Sequence, residues 1–215
     1  MRFDAVQRGE KFVIKNVEDK YLSYIDNYLA ELKQIAETVN KSDIAKFFDI
    51  LESIKSKDGR LFILGVGGSA ANASHAVNDF RKILGIETYT PLDNVSELTA
   101  RINDEGWDTS LVEWLKISKF HKNDTVLVYS VGGGSQTTSQ NLVKAMEYAK
   151  EKGACVCSIV SRDGGEARKL SDCCILIPVI ADERITPHAE EWQGILWHMA
   201  VTGVHSIIKG KFHEN

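Results

Sequence analysis

The stretch GVGGSAANASHAVNDF, residues 65–80, begins as a glycine-rich turn and continues as a helix. Glycines let a backbone approach an anion closely, and the free N–H groups of a helix N-terminus add a partial positive charge. In the second half of the stretch, His75 and Asp79 are four residues apart and therefore share a helix face. The stretch predicts a phosphate-type loop that leads into a helix with two chemically capable side chains on one side.

From residue 60 onward, short apolar runs alternate with helical patterns. The runs are LFILGV, ETYTPL, TVLVYSV, ACVCSIV and CILIPVI, and the helical patterns lie near residues 70–83, 96–117, 138–152, 164–171 and 187–208. Continuous apolar strands between helices indicate a parallel sheet covered on both faces. We therefore predict an α/β fold with a doubly wound five-stranded parallel sheet in the flavodoxin-like order 2-1-3-4-5. Ligands of such sheets bind beyond the carboxyl ends of strands 1 and 3.

Two helical patterns precede the sheet. Apolar residues spaced by three and four run from Leu22 to Val39, and a second set follows the NKSD segment. We predict a helical hairpin in residues 1–58, followed by a sugar-phosphate-binding unit in residues 59–215, within one compact domain. The apolar stripe of the hairpin needs a partner, and we expect a second copy of the chain to supply it.

The composition excludes several classes of function. Hydrophobic residues make up 43% of the 215 residues, charged residues 26%, and the formal net charge is −4. This charge balance provides no electrostatic footprint for nucleic acid. The first fifteen residues contain no signal-peptide core, and the longest apolar runs are too short to span a bilayer. We expect a cytoplasmic protein with neither a membrane nor a nucleic-acid partner.

A second glycine-rich loop, SVGGGSQTTSQN at residues 130–141, follows the third predicted strand. In the predicted strand order this loop faces the first one, and its hydroxyls add hydrogen-bond donors. The pair favours a phosphorylated small molecule. Gly65, Gly67 and Ala70 also match a dinucleotide fingerprint, but that motif needs an acidic residue at the end of strand 2. Glu87 lies before that point and Asp93 after it.

The last helical pattern adds further ligand-type residues. Thr186 is a plausible N-cap, and Glu190 and His198 lie on one side of the helix. A His and an Asp at the spacing of His75 and Asp79 are by themselves typical of a local hydrogen bond. Joined with Glu190 and His198, they form a nitrogen and oxygen donor set suited to zinc or a similar divalent ion. Glu191 is an alternative to Glu190.

These motifs together resemble the phosphoheptose isomerases of the sugar-isomerase (SIS) fold. The resemblance rests on GVGGSA with its downstream His and Asp, SELTARINDEGW, SVGGGS, DGG and a final helix with a histidine. It implies a homotetramer that holds zinc and converts sedoheptulose 7-phosphate to D-glycero-D-manno-heptose 7-phosphate. It covers nearly the whole chain from the hairpin onward.

The resemblance also implies roles for individual residues. The substrate-binding set consists of Gly67, Gly68, Ser69, Asp79, Asn103, Asp104, Ser130, Gly132, Ser139 and Glu190. The metal ligands are His75, Asp79, Glu190 and His198. For the proton transfers of an enediol mechanism, we expect Asp79 as the base and His198 as the acid.

The chain departs from the family pattern at several of these positions. Asp79 stands where the family has Glu, and Glu190 stands where it has Gln. Gly132 replaces a serine, and the second loop is about four residues longer, so that either Ser135 or Ser139 could contact the phosphate. The departures leave two alternatives open: an isomerase of another sugar phosphate, or a non-catalytic SIS module that senses sugar phosphates or binds proteins.

Overall fold

Five parallel strands form one sheet in the order β2-β1-β3-β4-β5. In this computed structural model, which describes residues 19–208 and Gly210, the strands are β1 (Leu61–Gly65), β2 (Thr88–Tyr89), β3 (Thr125–Tyr129), β4 (Cys155–Val160) and β5 (Cys173–Leu176). The predicted fold class and strand order are confirmed. All five residues of β1 and all five of β3 are buried, as expected of strands covered on both faces.

Within residues 19–208, the helices are α1 (Asp19–Thr38), α2 (Lys41–Ser56), α3 (Gly68–Asp79), α4 (Val95–Glu105), α5 (Ser110–Ile117), α6 (Gln140–Glu151), α7 (Gly165–Leu170) and α8 (Ile185–Ile208). Alternate strand residues face opposite layers. Ile63 packs in the core that includes α2, α3 and α8, whereas Phe62 and Leu64 pack in the core beneath α5, α6 and α7. The sheet is therefore sandwiched between two helical layers.

Two boundaries differ from the sequence prediction. The single pattern predicted over 96–117 is divided into α4 and α5, because Gly106 adopts φ +85° and ends α4. The last helix begins at Ile185, directly after a short 3₁₀ turn at Asp182–Arg184, so Thr186 lies inside its first turn and is not its N-cap. Pro187 is tolerated there because the first turn has no intrahelical acceptor for its missing N–H.

The predicted hairpin is present as α1 and α2. The side chain of Asn40 caps α2 by accepting a hydrogen bond from the backbone N–H of Ser42 at 2.9 Å. Apolar residues of α2, among them Phe47 and Leu51, are buried in the same core as the strands. The first half of α1 leaves Leu22, Ile25 and Leu29 exposed. The beginning of the predicted 1–58 segment, residues 1–18, lies outside the described residues.

No described helix is long and apolar enough to cross a membrane.

Candidate active site

A cavity of about 340 Å³ opens where the two glycine-rich loops meet at the carboxyl ends of β1 and β3. We call it the loop cavity. Its walls contain six hydroxyl groups, those of Ser69, Ser130, Ser135, Thr138, Ser139 and Thr186. The convergence of the two loops on one crevice, predicted from the strand order, is present in the structure. A hydroxyl-rich crevice at helix N-termini is suited to an anionic oxygen cluster such as a phosphate.

The first loop places Ser69 at the base of the cavity. Its Oγ accepts a hydrogen bond from Nε2 of Gln193 at 2.9 Å, so the hydroxyl proton remains available for a ligand. Asn72 donates from Nδ2 to Oε1 of Gln193 and to the carbonyl of Glu190, each at 2.9 Å. Ser69 and Gln193 are both fully buried. This network fixes the start of α3 against α8 and orients the serine.

The second loop is held from behind by its own backbone. The Oγ of Ser130 accepts a hydrogen bond from the N–H of Gly133 at 3.1 Å, which leaves the serine proton free to point into the cavity. Gly133 adopts φ +71°, and an added Cβ would overlap the carbonyl oxygen of Gly164. The loop therefore packs directly on the backbone of the segment that follows β4, and only glycine fits at this contact.

Ser135 and Ser139 differ in how their hydroxyls are used, although both line the cavity. The Oγ of Ser135 accepts hydrogen bonds from the N–H groups of Thr137 and Thr138, at 3.3 and 3.1 Å. Ser139 is the N-cap residue that precedes α6, with φ +53°, and its side chain makes no capping hydrogen bond. Both hydroxyls therefore keep a proton that can be donated to a phosphate, while Ser135 also stabilises the longer turn.

Two lining residues were missed from the sequence. Arg162 and Thr186 reach the loop cavity from the ends of β4 and α8. The carboxyl end of β4 lies beside that of β3, because these strands are neighbours in the sheet. Residues directly after the fourth predicted strand were therefore a detectable signal, since parallel strands end at one edge.

The other candidate site is a cluster of His75, Asp79 and His198, which we call the His–Asp cluster. One ligand-type atom of each residue lies within 4.8 Å of the others. The Oδ2 of Asp79 is 3.7 Å from Nε2 of His75 and 3.5 Å from Nε2 of His198. Both histidine side chains are more than half exposed, whereas Asp79 is 8% exposed. The carboxylate thus forms the floor of a group that is open to solvent.

Neighbouring groups hold the carboxylate in place. Trp197 donates from Nε1 to Oδ2 of Asp79 at 3.1 Å, and Asn78 donates from Nδ2 to Oδ1 at 3.0 Å. The Trp197 ring also contacts both histidine rings, with centroid distances of 5.3 and 4.7 Å. Such supporting contacts orient ligands and determine how well a metal is held. Trp197 is the positioning residue here, and the sequence pattern gave no sign of it.

The residues of the His–Asp cluster fit a zinc ion. Zinc binds nitrogen and oxygen ligands at about 2.0–2.2 Å, so two ligands of one tetrahedral ion are about 3.3–3.6 Å apart. The distances from Oδ2 of Asp79 to the two histidine nitrogens are 3.7 and 3.5 Å. Two histidines and one carboxylate are also a common catalytic set, in which the fourth position is left for water or substrate.

Glu190, predicted as a fourth ligand, is not brought into this group among the described residues. A Cβ added at Gly68 would overlap its carboxylate, which lies over the first turn of α3. The reason is that α3 and α8 run in the same direction: Glu190 lies beside Gly68, and Trp197 beside Asp79. A carboxylate over a helix N-terminus is stabilised by the helix dipole.

Glu191, the alternative ligand, belongs to a separate polar cluster. It accepts one hydrogen bond from the Tyr28 hydroxyl at 2.5 Å, and its other oxygen is 3.3 Å from Nδ1 of His188. Glu31 of α1 binds both His188 and Arg184, and the hydrogen bond from Arg184 is the main reason that its pKa falls to about 2. This cluster connects α1 to α8 and does not contribute to the metal group.

The predicted sugar contacts Asn103 and Asp104 lie on α4. Both are exposed, and Nδ2 of Asn103 donates to Oδ1 of Asp104 at 2.7 Å. Neither residue lines the loop cavity in the described part of the chain. Their contact with a sugar stays a prediction.

The sequence matches the SIS domain family over residues 23–161. The chain belongs to this family. Its membership agrees with the site, since the matched segment contains both glycine-rich loops and the first two members of the His–Asp cluster.

The predicted resemblance to the phosphoheptose isomerases is also confirmed. The phosphoheptose isomerase of Burkholderia pseudomallei is 28% identical over 205 residues, which cover 91% of this chain and all of the relative. That of Helicobacter pylori strain HPAG1 is 30% identical over 69% of this chain and 75% of its own length. The solved phosphoheptose isomerase GmhA from Neisseria gonorrhoeae has a TM-score of 0.74 at 21% identity, covering 89% of this chain, and so shares its fold.

Proposed function

We propose that this chain is a cytoplasmic isomerase that interconverts sedoheptulose 7-phosphate and D-glycero-D-manno-heptose 7-phosphate, a step of heptose biosynthesis. The observation that carries the proposal is the position of the His–Asp cluster on the same helix that opens the loop cavity. Ser69 lies in the first turn of α3, and His75 follows about 9 Å along the helix axis. A sugar with its phosphate at one end can thus present its other end to the cluster.

The loop cavity binds the phosphate in this scheme. Ser69, Ser130 and Ser139 each keep a hydroxyl proton that no acceptor among the described residues uses. Hydrogen bonds to a dianion are charge-assisted and about twice as strong as neutral ones. Phosphate binding fixes the distance from the loops to the reacting carbons, which is the positioning part of the catalysis.

Proton transfer takes place at the His–Asp cluster. Asp79 removes the proton from the carbon beside the carbonyl and returns it to the neighbouring carbon, so the reaction passes through an enediol. The Trp197 and Asn78 hydrogen bonds keep its two oxygens in fixed directions. His198 serves the sugar oxygens as the acid, since an imidazole has one nitrogen for a ligand bond and another for a proton.

We further propose that His75, Asp79 and His198 hold a divalent ion, with zinc as the expected metal. When bound, the ion would polarise the carbonyl and stabilise the negative charge that develops on its oxygen. Glu190 remains a candidate for substrate contact at the start of α3, where its carboxylate lies beside Gly68.

The experiment is an isomerisation assay in D₂O with the zinc-loaded protein. Sedoheptulose 7-phosphate, a ketohexose 6-phosphate and a ketopentose 5-phosphate are each incubated and followed by proton NMR. We expect turnover of the heptulose phosphate with deuterium at the carbon next to the carbonyl, because Asp79 exchanges its proton with solvent. If only a shorter sugar phosphate is turned over, the assigned substrate changes, but the isomerisation chemistry stays.

Binding of a sugar phosphate with no turnover and no deuterium uptake, in zinc-loaded protein, would favour the non-catalytic module instead. A chelator-treated sample serves as the matched control for the metal.

We also propose a homo-oligomer, with the tetramer as the expected form, because the exposed apolar half of α1 leaves Leu22, Ile25 and Leu29 in water.

A further inference from the structure

Arg162 is a cation at the wall of the loop cavity with no ion-pair partner among the described residues. Among the described residues that line this cavity, it is the one with a charge. The hydrogen bonds and ion pairs described for the chain do not include it, although neighbouring cations are engaged: Lys169 pairs with Glu166 at 2.7 Å, and Arg168 donates to the carbonyl of Asp163 at 3.4 Å. An arginine beside an anion-type cavity without an internal partner is available for a ligand.

The backbone at Arg162 is held in a conformation that an L-residue adopts at a cost. Its φ is +55°, in the left-handed region that favours glycine. The turn is fixed on both sides by backbone hydrogen bonds: Ser161 donates to the carbonyl of Val131 at 2.9 Å, and Gly164 donates to the carbonyl of Ser161 at 3.0 Å. Backbone conformations of this kind cluster at ligand sites, and this one places the Arg162 side chain at the wall of the loop cavity.

Arg162 also lies where the second loop lacks a side chain. A Cβ added at Gly132 would be 3.9 Å from both Cδ and a terminal guanidinium nitrogen of Arg162. The loop thus has no hydroxyl at residue 132, and the guanidinium occupies the adjoining space. A planar guanidinium can donate two parallel hydrogen bonds to a phosphate, which a single hydroxyl cannot do.

We propose that Arg162 binds the phosphate of the substrate as a charge-neutralising clamp and selects phosphate monoesters over uncharged sugars. The proposal rests on the proposed function, because it assigns the phosphate end of that substrate to the loop cavity. The serines orient the phosphate oxygens, and Arg162 supplies the positive charge that they lack.

The test measures the dissociation constant of inorganic phosphate, which does not depend on turnover. Arg162→Gln should weaken phosphate binding roughly tenfold, between the effect of an exposed ion pair and that of a buried charge-assisted hydrogen bond. Arg162→Lys should give an intermediate loss of phosphate affinity, because lysine keeps the positive charge but cannot donate two parallel hydrogen bonds. Arg168→Gln is the matched control: it lines the adjoining cavity and not the loop cavity, and should leave the constant within about twofold.

Two further measurements distinguish phosphate binding by Arg162 from a purely structural role of this residue. Arg162→Gly should melt at the same or a higher temperature than the wild type, because it relieves the left-handed φ, and yet bind phosphate as weakly as Arg162→Gln. In the isomerase assay, Arg162→Gln should raise KM by a larger factor than it lowers kcat, because most of the lost interaction is phosphate binding and a smaller part is the positioning of the reacting carbons. Wild-type phosphate affinity in Arg162→Gln would overturn this proposal while leaving the isomerase intact. A wild-type protein that binds no phosphate would overturn the phosphate site and with it the proposed function.

Discussion

Replacing Asp79 by Asn tests whether the His–Asp cluster is a metal site. The change keeps the size of the side chain, and the amide oxygen can still accept from Trp197 Nε1, which now lies 3.1 Å from Oδ2. The new NH2 group takes the place of Oδ1, and the Asn78 amide can turn so that its oxygen accepts from it. The free energy of unfolding of the metal-free protein should therefore change by no more than about 1 kcal/mol. Zinc affinity should fall by at least about a hundredfold, because loss of supporting groups around metal ligands alone costs 10–100-fold.

The assay is competition for zinc against a coloured chelator, with the bound metal counted per chain. The wild type should bind about one ion, and Asp79→Asn should also lose kcat by at least about a hundredfold, as is typical of a lost general base. Glu190→Gln is the matched control, since it removes a carboxylate that lies over Gly68 and outside the cluster. Its zinc affinity should equal that of the wild type. Equal zinc binding and turnover in the Asp79→Asn variant would refute the metal-assisted mechanism.

Three further perturbations test other parts of the molecule. Ser130→Ala should weaken binding of a sugar phosphate about ten- to a hundredfold in calorimetry, because it removes one donor to a dianion. Glu31→Gln should reduce acid sensitivity: with the pKa of Glu31 near 2, its stabilising effect is complete above pH 5 and lost as the pH falls toward 2, so urea midpoints of wild type and variant should converge there. Light scattering should show a multiple of the 24.0 kDa chain mass, whereas Leu29→Asp should favour the single chain.

The sheet and the position of the loop cavity followed from simple patterns. Continuous apolar runs such as LFILGV and TVLVYSV are typical of buried parallel strands. The order 2-1-3-4-5 then places the ends of β1 and β3 side by side. The i, i+4 spacing likewise predicted that His75 and Asp79 share a face. Periodicity determines these features because each depends on neighbours that are close in sequence or adjacent in the sheet.

Features that depend on the packing of distant helices could not be obtained in this way. The sequence gives the spacing of Glu190 and His198 along α8, about 12 Å, but not which end of α3 each one meets. The structure sets Glu190 beside Gly68, and the Trp197 and His198 pair beside Asp79. The role of Gln193 in orienting Ser69 was missed for the same reason, since a buried glutamine has no periodic signature.

The parallel course of α3 and α8 also bears on the shorter carboxylate at residue 79. By its length alone, an aspartate is expected to reach either the ion or the substrate proton, and not both. In the structure Oδ2 faces both histidines and Trp197, while Oδ1 accepts a hydrogen bond from Asn78. The two oxygens thus have different surroundings, as the proposed mechanism requires if one is to be the metal ligand and the other the base. Because α8 brings His198 to within 3.5 Å of Oδ2, the packing of the helices supplies the reach that the side chain lacks.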